Sequence, residues 1–327
     1  MNDNNTAPLV SVIVPNYNYA SFLRARLDSV FNQTYGNFEV ILLDDASTDG
    51  SVEVLEEYAK DKHTAVLKIN ERNTKCPFVQ WVKGIRLAKG KYCWIAEADD
   101  VASDNFLEVC VKNLERSKNS ALCFTGSVLI DENGNRIEKD VNHWKRNDKK
   151  AGTKHIPGEM YRETNLYWKN YIFNASAVVF RRDYALGCNL DQYGNFRYCG
   201  DYMFWFDLAG MGDIVEVYMN LNQFRQHTRK VTVKSRASNA GVNEDIEIVA
   251  YMERQLPRLS GYKKKIRRGW LYSKIRRCVD DGQMRNESYL LMQRKLHSKR
   301  SYYVLHKINK IIGFFSSKVP TPRSERQ

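Results

Sequence analysis

Over the first 130 residues, short apolar runs alternate with stretches in which apolar positions recur every three or four residues. Residues 10–14, 38–43, 65–69, 92–96 and 122–130 are rich in branched or aromatic side chains and are bounded by turn chemistry, which predicts strands. Between them, residues 21–31 place Phe22, Leu23, Leu27, Val30 and Phe31 on one stripe, and 52–58, 78–87 and 105–114 supply further helical patterns. Regular alternation of this kind predicts an α/β fold, a mostly parallel central sheet with helices on both faces. In such sheets ligands bind beyond the carboxyl ends of the strands.

The pattern lapses from residue 131 to about 159, polar and basic around Asn133-Gly134, a hairpin or loop signal. It resumes with a strand-like run at 172–181, a helical stripe at 201–208 and another strand-like run at 214–224. Beyond Asn243 the sequence is helical and from Lys263 strongly basic, so a catalytic domain over 1–240 and a helical basic extension over 241–327 are expected.

Chemistry gathers where strands end. The first runs into Pro15-Asn16-Tyr17-Asn18 and the second into Asp44-Asp45-Ala46-Ser47-Thr48-Asp49. Ser47, Thr48 or Asp49 can cap the helix that follows. Adjacent carboxylates repel unless a cation or a hydrogen donor faces them, a role that a nucleobase N–H or a ribose hydroxyl can fill. The fourth strand ends in Glu97-Ala98-Asp99-Asp100. A hard divalent cation wants oxygen ligands and leaves room for substrate phosphates, so this cluster reads as a Mg²⁺ or Mn²⁺ site or as a solvated acidic loop. Asp201 heads an apolar helix, where it is either an N-cap or a general base. His227, after the last strand, is either structural or a ligand. Phe78, Trp81, Trp94 and Trp205 sit on apolar faces and are expected in the core rather than stacked on a sugar.

In this order the motifs Pro-Asn-Tyr-Asn, Asp-Asp-x-Ser-x-Asp, Glu-x-Asp-Asp, Gly-Asp and Arg-x-His resemble the family 2 glycosyltransferases over roughly residues 8–232, and the text between them resembles a bacterial subgroup acting in surface polysaccharide assembly. The resemblance implies a nucleotide-diphospho-sugar transferase fold of GT-A type and an inverting transfer from a UDP- or dTDP-sugar to the hydroxyl of a saccharide or lipid-linked acceptor. It implies that Pro15, Tyr17 and Asn18 line the nucleotide pocket and that Asp45 accepts the N3–H of the base. Asp99 would lie at the ribose and the metal, Asp100 would be the principal ligand of Mn²⁺ or Mg²⁺, Asp201 the base, and His227 a group approaching the metal or diphosphate. The chain departs from the pattern at Glu97, where many relatives carry Asp, at Thr74-Lys75-Cys76-Pro77, and after His227, where Arg229 and Lys230 follow.

Charge sharpens the picture of the C-terminal third. Of the net charge of +13, nearly all lies between residues 261 and 310, where fifteen Lys and Arg face three Asp and Glu. Basic residues beside Trp270, Leu271, Tyr272, Ile308, Ile311, Ile312, Phe314 and Phe315 predict an interfacial segment that holds the protein peripherally on an anionic membrane surface, or else an ordinary solvated helix. Seven cysteines without a C-x-x-C pair give neither a zinc knuckle nor a disulfide framework. The polar N-terminus and the lack of a long apolar run predict a cytoplasmic protein, and make the N-x-S/T matches at Asn32, Asn174 and Asn286 chance occurrences.

Other classes fit less well. A nicotinamide dehydrogenase needs glycines in its first turn, and Pro15–Asn18 has none. A nucleotidyltransferase would share donor and metal but carries a Gly-rich basic loop after its first strand. A non-enzymatic nucleic-acid binder would use the basic tail and leave the acidic strand ends unexplained, so no nucleic-acid partner is expected.

Overall fold

A computed structural model describes residues 7–144, 150, 152–227 and 239–315, with side chains described as far as 312. Its contacts divide the chain into two compact units rather than at one cut near residue 240. The first holds residues 1–159, 172–195 and 207–227; the second holds 160–171, 196–206 and 228–327.

The first unit is built on one ten-stranded sheet. Strands β1 (Val10–Asn16), β2 (Phe38–Asp44), β3 (Thr64–Ile69) and β4 (Tyr92–Ile95) run parallel in the order β3-β2-β1-β4. Strand β9 (Val178–Arg181) enters antiparallel between β4 and β6 (Ser120–Ile130), and β10 (Asp213–Arg225) pairs parallel with β6. The six strands β1–β4, β6 and β10 therefore share one direction, as a mostly parallel sheet requires. Short β5 (Val101–Ala102), β7 (Arg136–Ile137) and β8 (Thr153–Ile156) pair antiparallel at the margins.

The helices are α1 (Ala20–Phe31), α2 (Ser51–Tyr58), α3 (Pro77–Leu87), α4 (Phe106–Arg116) and α5 (Arg182–Gly187), each within a residue or two of its apolar periodicity where one was legible. Alternation along β1 sends Val10, Val12 and Val14 into one cluster with Leu23, Leu27 and Val30 of α1 and Leu107 and Leu114 of α4. On the opposite face α3 sits close enough that a Cβ at Gly84 would lie 2.3 Å from Ile13 Cγ2, so only glycine allows this approach. That contact fixes where α3 delivers Gln80 and Trp81.

Two regions differ from the sequence pattern. The run 172–181 is not one strand: Asn174 Oδ1 accepts from Ser176 N at 2.8 Å, closes a 3₁₀ turn over Ala175–Ala177, and leaves Val178–Arg181 to pair. The polar stretch 131–159 carries β7, β8 and a helical turn, Gly158–Tyr161.

In the second unit α7 (Ala240–Gln255), α8 (Gly261–Cys278), α9 (Gly282–Leu296) and α10 (Ser301–Phe315) pack through buried Ile246, Val249, Met252, Ile266, Leu271, Ile275, Met292 and Leu296. Ser260 and Asp281 cap α8 and α9, accepting from the N–H groups of Lys263 and Met284. Ile266, Leu271 and Tyr272 are thus core residues, and the apolar part of the 263–272 segment is not free to enter a membrane interface. Among the described residues no helix is long and apolar enough to cross a membrane.

Candidate active site

The parallel register sets Asn16 of β1 beside Asp44 of β2, and Ile13 beside Ile95 of β4, so the three acidic or amide-bearing loops leave the sheet along one edge. Asn18 and Ala46 adopt left-handed backbone, with φ of 56° and 64°, which folds the two loops against each other. Asn18 Oδ1 accepts from Thr48 N at 2.8 Å, and Asn18 N donates to Ser47 Oγ at 2.9 Å. Pro15 is buried behind this turn, while Tyr17 is 45% exposed.

Asp44 and Asp45 are satisfied by the protein itself. Asp44 accepts from Asn16 Nδ2 at 2.8 Å and from the Ser47 hydroxyl and N–H at 2.6 and 2.8 Å. Asp45, 5% exposed, accepts from Asn70 Nδ2 at 2.7 Å, Gln80 Nε2 and Thr74 Oγ1 at 2.8 Å, and Thr74 N at 3.1 Å. A carboxylate offers about four lone-pair sites. The donors expected from a nucleobase are here supplied by protein, so for Asp45 to accept a base N–H one of these bonds would have to yield. Its observed work is to tie β2 to α3 and to the loop containing Thr74–Pro77.

Beyond β4 the carboxylates separate. Glu97 Oε1 accepts from Trp81 Nε1 at 2.7 Å, and its N–H donates to Ser176 Oγ at 3.1 Å. Burial, reinforced by neighbouring Asp99, pushes the Glu97 carboxyl up to about 8. Asp100 is 1% exposed, and its Oδ1 accepts from Arg225 N at 3.0 Å. Asp99 faces His227, with Oδ2 and Nε2 2.9 Å apart. The antiparallel pairing of β10 with β5, Gln223 beside Val101, explains the meeting, because continuing it sets Arg225 opposite Asp99. Tyr19 and Phe22 hold the His227 ring at centroid distances of 5.5 and 5.0 Å, and its buried Nδ1 has no hydrogen-bond partner among the described residues. Asp100, expected as the principal metal ligand, thus meets the β10 backbone through Oδ1, while Asp99 pairs with His227, whose side chain is itself 1% exposed.

Two arginines hold this loop: Arg225, which stands in the Arg-x-His motif, and Arg26, which motif reading passed over. Arg225 donates through Nε to Asp99 O at 2.8 Å and through Nη1 to Asp131 O at 3.0 Å, with its guanidinium 4.8 Å from the Phe22 ring centroid. Arg26 is fully buried, donates through Nε to Glu97 O at 2.9 Å, and leaves both terminal nitrogens without a partner among the described residues. Burial lowers it to about 10, against the pull of Asp100, Asp99 and Glu97. Its signal was present in the sequence: it interrupts the apolar stripe of α1 between Leu23 and Leu27. Phe78, Trp81, Trp94 and Trp205 are all at most 5% exposed, which bears out their core assignment.

Asp201 belongs to the second unit, in the first turn of α6 (Gly200–Met211). Just before the helix, the Glu244 carboxylate accepts from the N–H groups of Arg197, Tyr198 and Cys199 at 2.8–2.9 Å. Asp201 Oδ2 accepts from Asn170 Nδ2 at 3.0 Å. Burial raises its carboxyl to about 7, with Asp245 and Glu244 adding to the rise. Arg229 and Lys230 lie outside the described residues.

The sheet order and a carboxylate-rich carboxyl edge define an α/β protein of the nucleotide-diphospho-sugar transferase class. The sequence profile of glycosyl transferase family 2 matches residues 11–186, more than half of the chain, and the chain belongs to that family. It is 29% identical over 233 residues to a Haemophilus influenzae protein named "Uncharacterized glycosyltransferase", covering 67% of this chain and 66% of that one. To the putative teichuronic acid biosynthesis glycosyltransferase TuaG of Bacillus subtilis it is 33% identical over 140 residues, covering 42% and 54%. These matches span less than two thirds of the relatives' own length. The crystal structure of S. aureus TarS 1-349 in complex with UDP superposes with a TM-score of 0.56 at 17% identity, covering 74% of this chain and 64% of that one, which establishes the shared GT-A-type fold.

Proposed function

We propose that the chain moves a glycosyl group from a UDP- or dTDP-sugar to an acceptor hydroxyl, with inversion at the anomeric carbon, in the synthesis of a surface polysaccharide. The observation that carries this reading is the 2.9 Å pairing of Asp99 and His227 at the carboxyl edge of the sheet. Family membership, the UDP of the TarS complex and the polymer in the name of TuaG support it.

The family implies Mn²⁺ or Mg²⁺, and the residues fit such an ion. Asp99 Oδ2 and His227 Nε2 would be the groups that hold it, in place of the 2.9 Å contact they make with each other. Among the described residues no group of three His, Cys, Asp or Glu converges. A two-donor site matches an ion that takes its remaining ligands from phosphate and water. When bound, the cation supplies Lewis-acid neutralisation of charge on the diphosphate leaving group. Arg225 and Arg26 keep the 97–100 loop in place for it. Tyr17 and Asn18 form the nucleoside wall, with Pro15 buried behind them, and Asp45 holds the loop beside them.

Asp201 is the base. Its carboxylate takes the proton of the acceptor hydroxyl, and the amide of Asn170 fixes the orientation of Oδ2. A carboxyl that titrates near 7 serves this role at neutral pH, as an ordinary carboxylate near 4 does less well. Thermal-shift measurements with UDP and dTDP, with and without Mn²⁺, test the reading. A nucleotide at about 100 times its dissociation constant adds ~2.7 kcal/mol of stability, and the gain is larger with Mn²⁺. Absence of stabilisation by either nucleotide under both conditions contradicts it.

A further inference from the structure

In the second unit α8 and α10 cross at Gly269, where a Cβ would come within 2.1 Å of Tyr302 O. Beside the crossing lies a hollow lined by Arg276 and Arg277 of α8 and by Tyr303, Lys307 and Lys310 of α10. Neither helix contains a single Asp or Glu. Three other basic residues of this unit are paired with carboxylates: Arg268 with Glu253, Lys274 with Asp245, and Lys295 with Glu247. The four cations of the hollow have no ion-pair partner among the described residues, and two of them lean on one ring, Arg276 at 5.0 Å and Lys307 at 5.4 Å from the Tyr303 centroid. His306 also lines the hollow. It is 6% exposed, and its Nδ1 is buried without a partner among the described residues. Burial, with Lys307, Lys310 and Arg267 adding to it, holds its imidazole down at about 4, as a positive potential unrelieved by carboxylates would. A pocket of this kind takes an anion.

The outer face of α10 carries a second feature. Val304, Ile308, Ile311 and Ile312 are 48–62% exposed. At roughly 100° per residue this aliphatic stripe adjoins the face that lines the hollow, and Lys307 stands at their border. Three occupants are conceivable, and charge decides among them. A second copy docked through a two-fold axis would bring the same uncompensated cations face to face. A nucleic acid would satisfy the cations and leave the stripe in water. An anionic phospholipid surface satisfies both, with phosphate at the hollow and hydrocarbon beneath it.

We infer that the α8–α10 face docks on an anionic phospholipid surface, with headgroup phosphates in the hollow of Arg276, Arg277, Lys307 and Lys310, and Val304, Ile308 and Ile311 in the acyl boundary. The attachment therefore sits on α10 and the end of α8, away from the Lys263–Lys265 run to which composition alone points. Flotation of the full chain with phosphatidylcholine vesicles, with and without phosphatidylglycerol, tests it. Binding is expected only with phosphatidylglycerol. Lys307→Glu with Lys310→Glu, and separately Ile308→Asp with Ile311→Asp, each lower it at least about tenfold. All four positions are exposed, so an unchanged thermal melt shows that the fold is kept. Charge reversal at Lys264 and Lys265 serves as the control and costs less. An equal loss in that control overturns the proposal in favour of diffuse attraction. Stabilisation by inorganic phosphate, with vesicle binding untouched by the Ile308 and Ile311 changes, overturns it in favour of a soluble phosphate ligand. Sedimentation in which those changes only dissociate a dimer, or a DNA shift without vesicle binding, overturns it as well.

Discussion

At the end of β2 both adjacent carboxylates, Asp44 and Asp45, are turned into the protein, whereas beyond β4 the pair divides, Asp100 buried against Arg225 and Asp99 facing His227. The same dipeptide at two strand ends on one sheet edge thus meets different surroundings. What differs is the supply of donors. Behind β2 the amides of Asn16, Asn70 and Gln80 and the hydroxyls of Ser47 and Thr74 fill the lone pairs; behind β4 the groups that meet the carboxylates include the His227 imidazole, the Arg225 N–H and the charge of buried Arg26. A carboxylate whose acceptor sites are filled by its own chain stabilises loops, and one set beside a second ligand-capable group is placed for chemistry.

That contrast is open to being broken. The largest effect is expected in the second unit: Asp201→Asn keeps the shape, loses the base, and lowers turnover on the order of 10²–10⁴-fold while nucleotide binding is unchanged. Steady-state kinetics with an accepted saccharide measure it. In the unmodified protein the rate should fall tenfold per pH unit below about 7, because the raised carboxyl is then protonated and cannot accept the hydroxyl proton. A rate that is level down to pH 5 would show that no group titrating near 7 acts as the base.

Next in size are the structural carboxylates. Asp100→Ala strands the Arg225 N–H in the interior, and denaturant melts should show about 1–3 kcal/mol lost. Asp45→Asn keeps an acceptor oxygen but sets an amide among donors, so the loss there is smaller, about 1 kcal/mol. Nucleotide affinity should weaken in Asp45→Asn to the same degree with and without Mn²⁺. A change confined to the Mn²⁺ samples would merge the two strand ends into one metal site and erase the distinction drawn here.

Much of this was legible along the chain. Period-two and period-3.6 apolar patterns placed β1, β2, β3, β4, β6 and β10 and the main helices, and the motifs singled out Asn18, Asp45, Asp99 and His227, which the fold sets at the ends of strands. Pattern reading failed where the deciding contact is distant in sequence. The partner of Asp100 is Arg225, more than 120 residues away, and the backbone leading into α6 is held by Glu244, more than 40 residues on. Strand β8, Thr-Lys-His-Ile, pairs with β10 although its composition carries no alternation to mark it. The basic segment was legible as charge alone: composition reports charge, and only packing shows that Ile266 and Leu271 are core while Ile308 and Ile311 are exposed.

The division of roles between Asp99 and Asp100 is tested most directly by calorimetry of UDP binding to the wild type, Asp99→Ala and Asp100→Ala, each with and without Mn²⁺. The account predicts that Mn²⁺ tightens binding to the wild type and to Asp100→Ala, and does nothing for Asp99→Ala. Retention of the Mn²⁺ effect in Asp99→Ala together with its loss in a folded Asp100→Ala would contradict it.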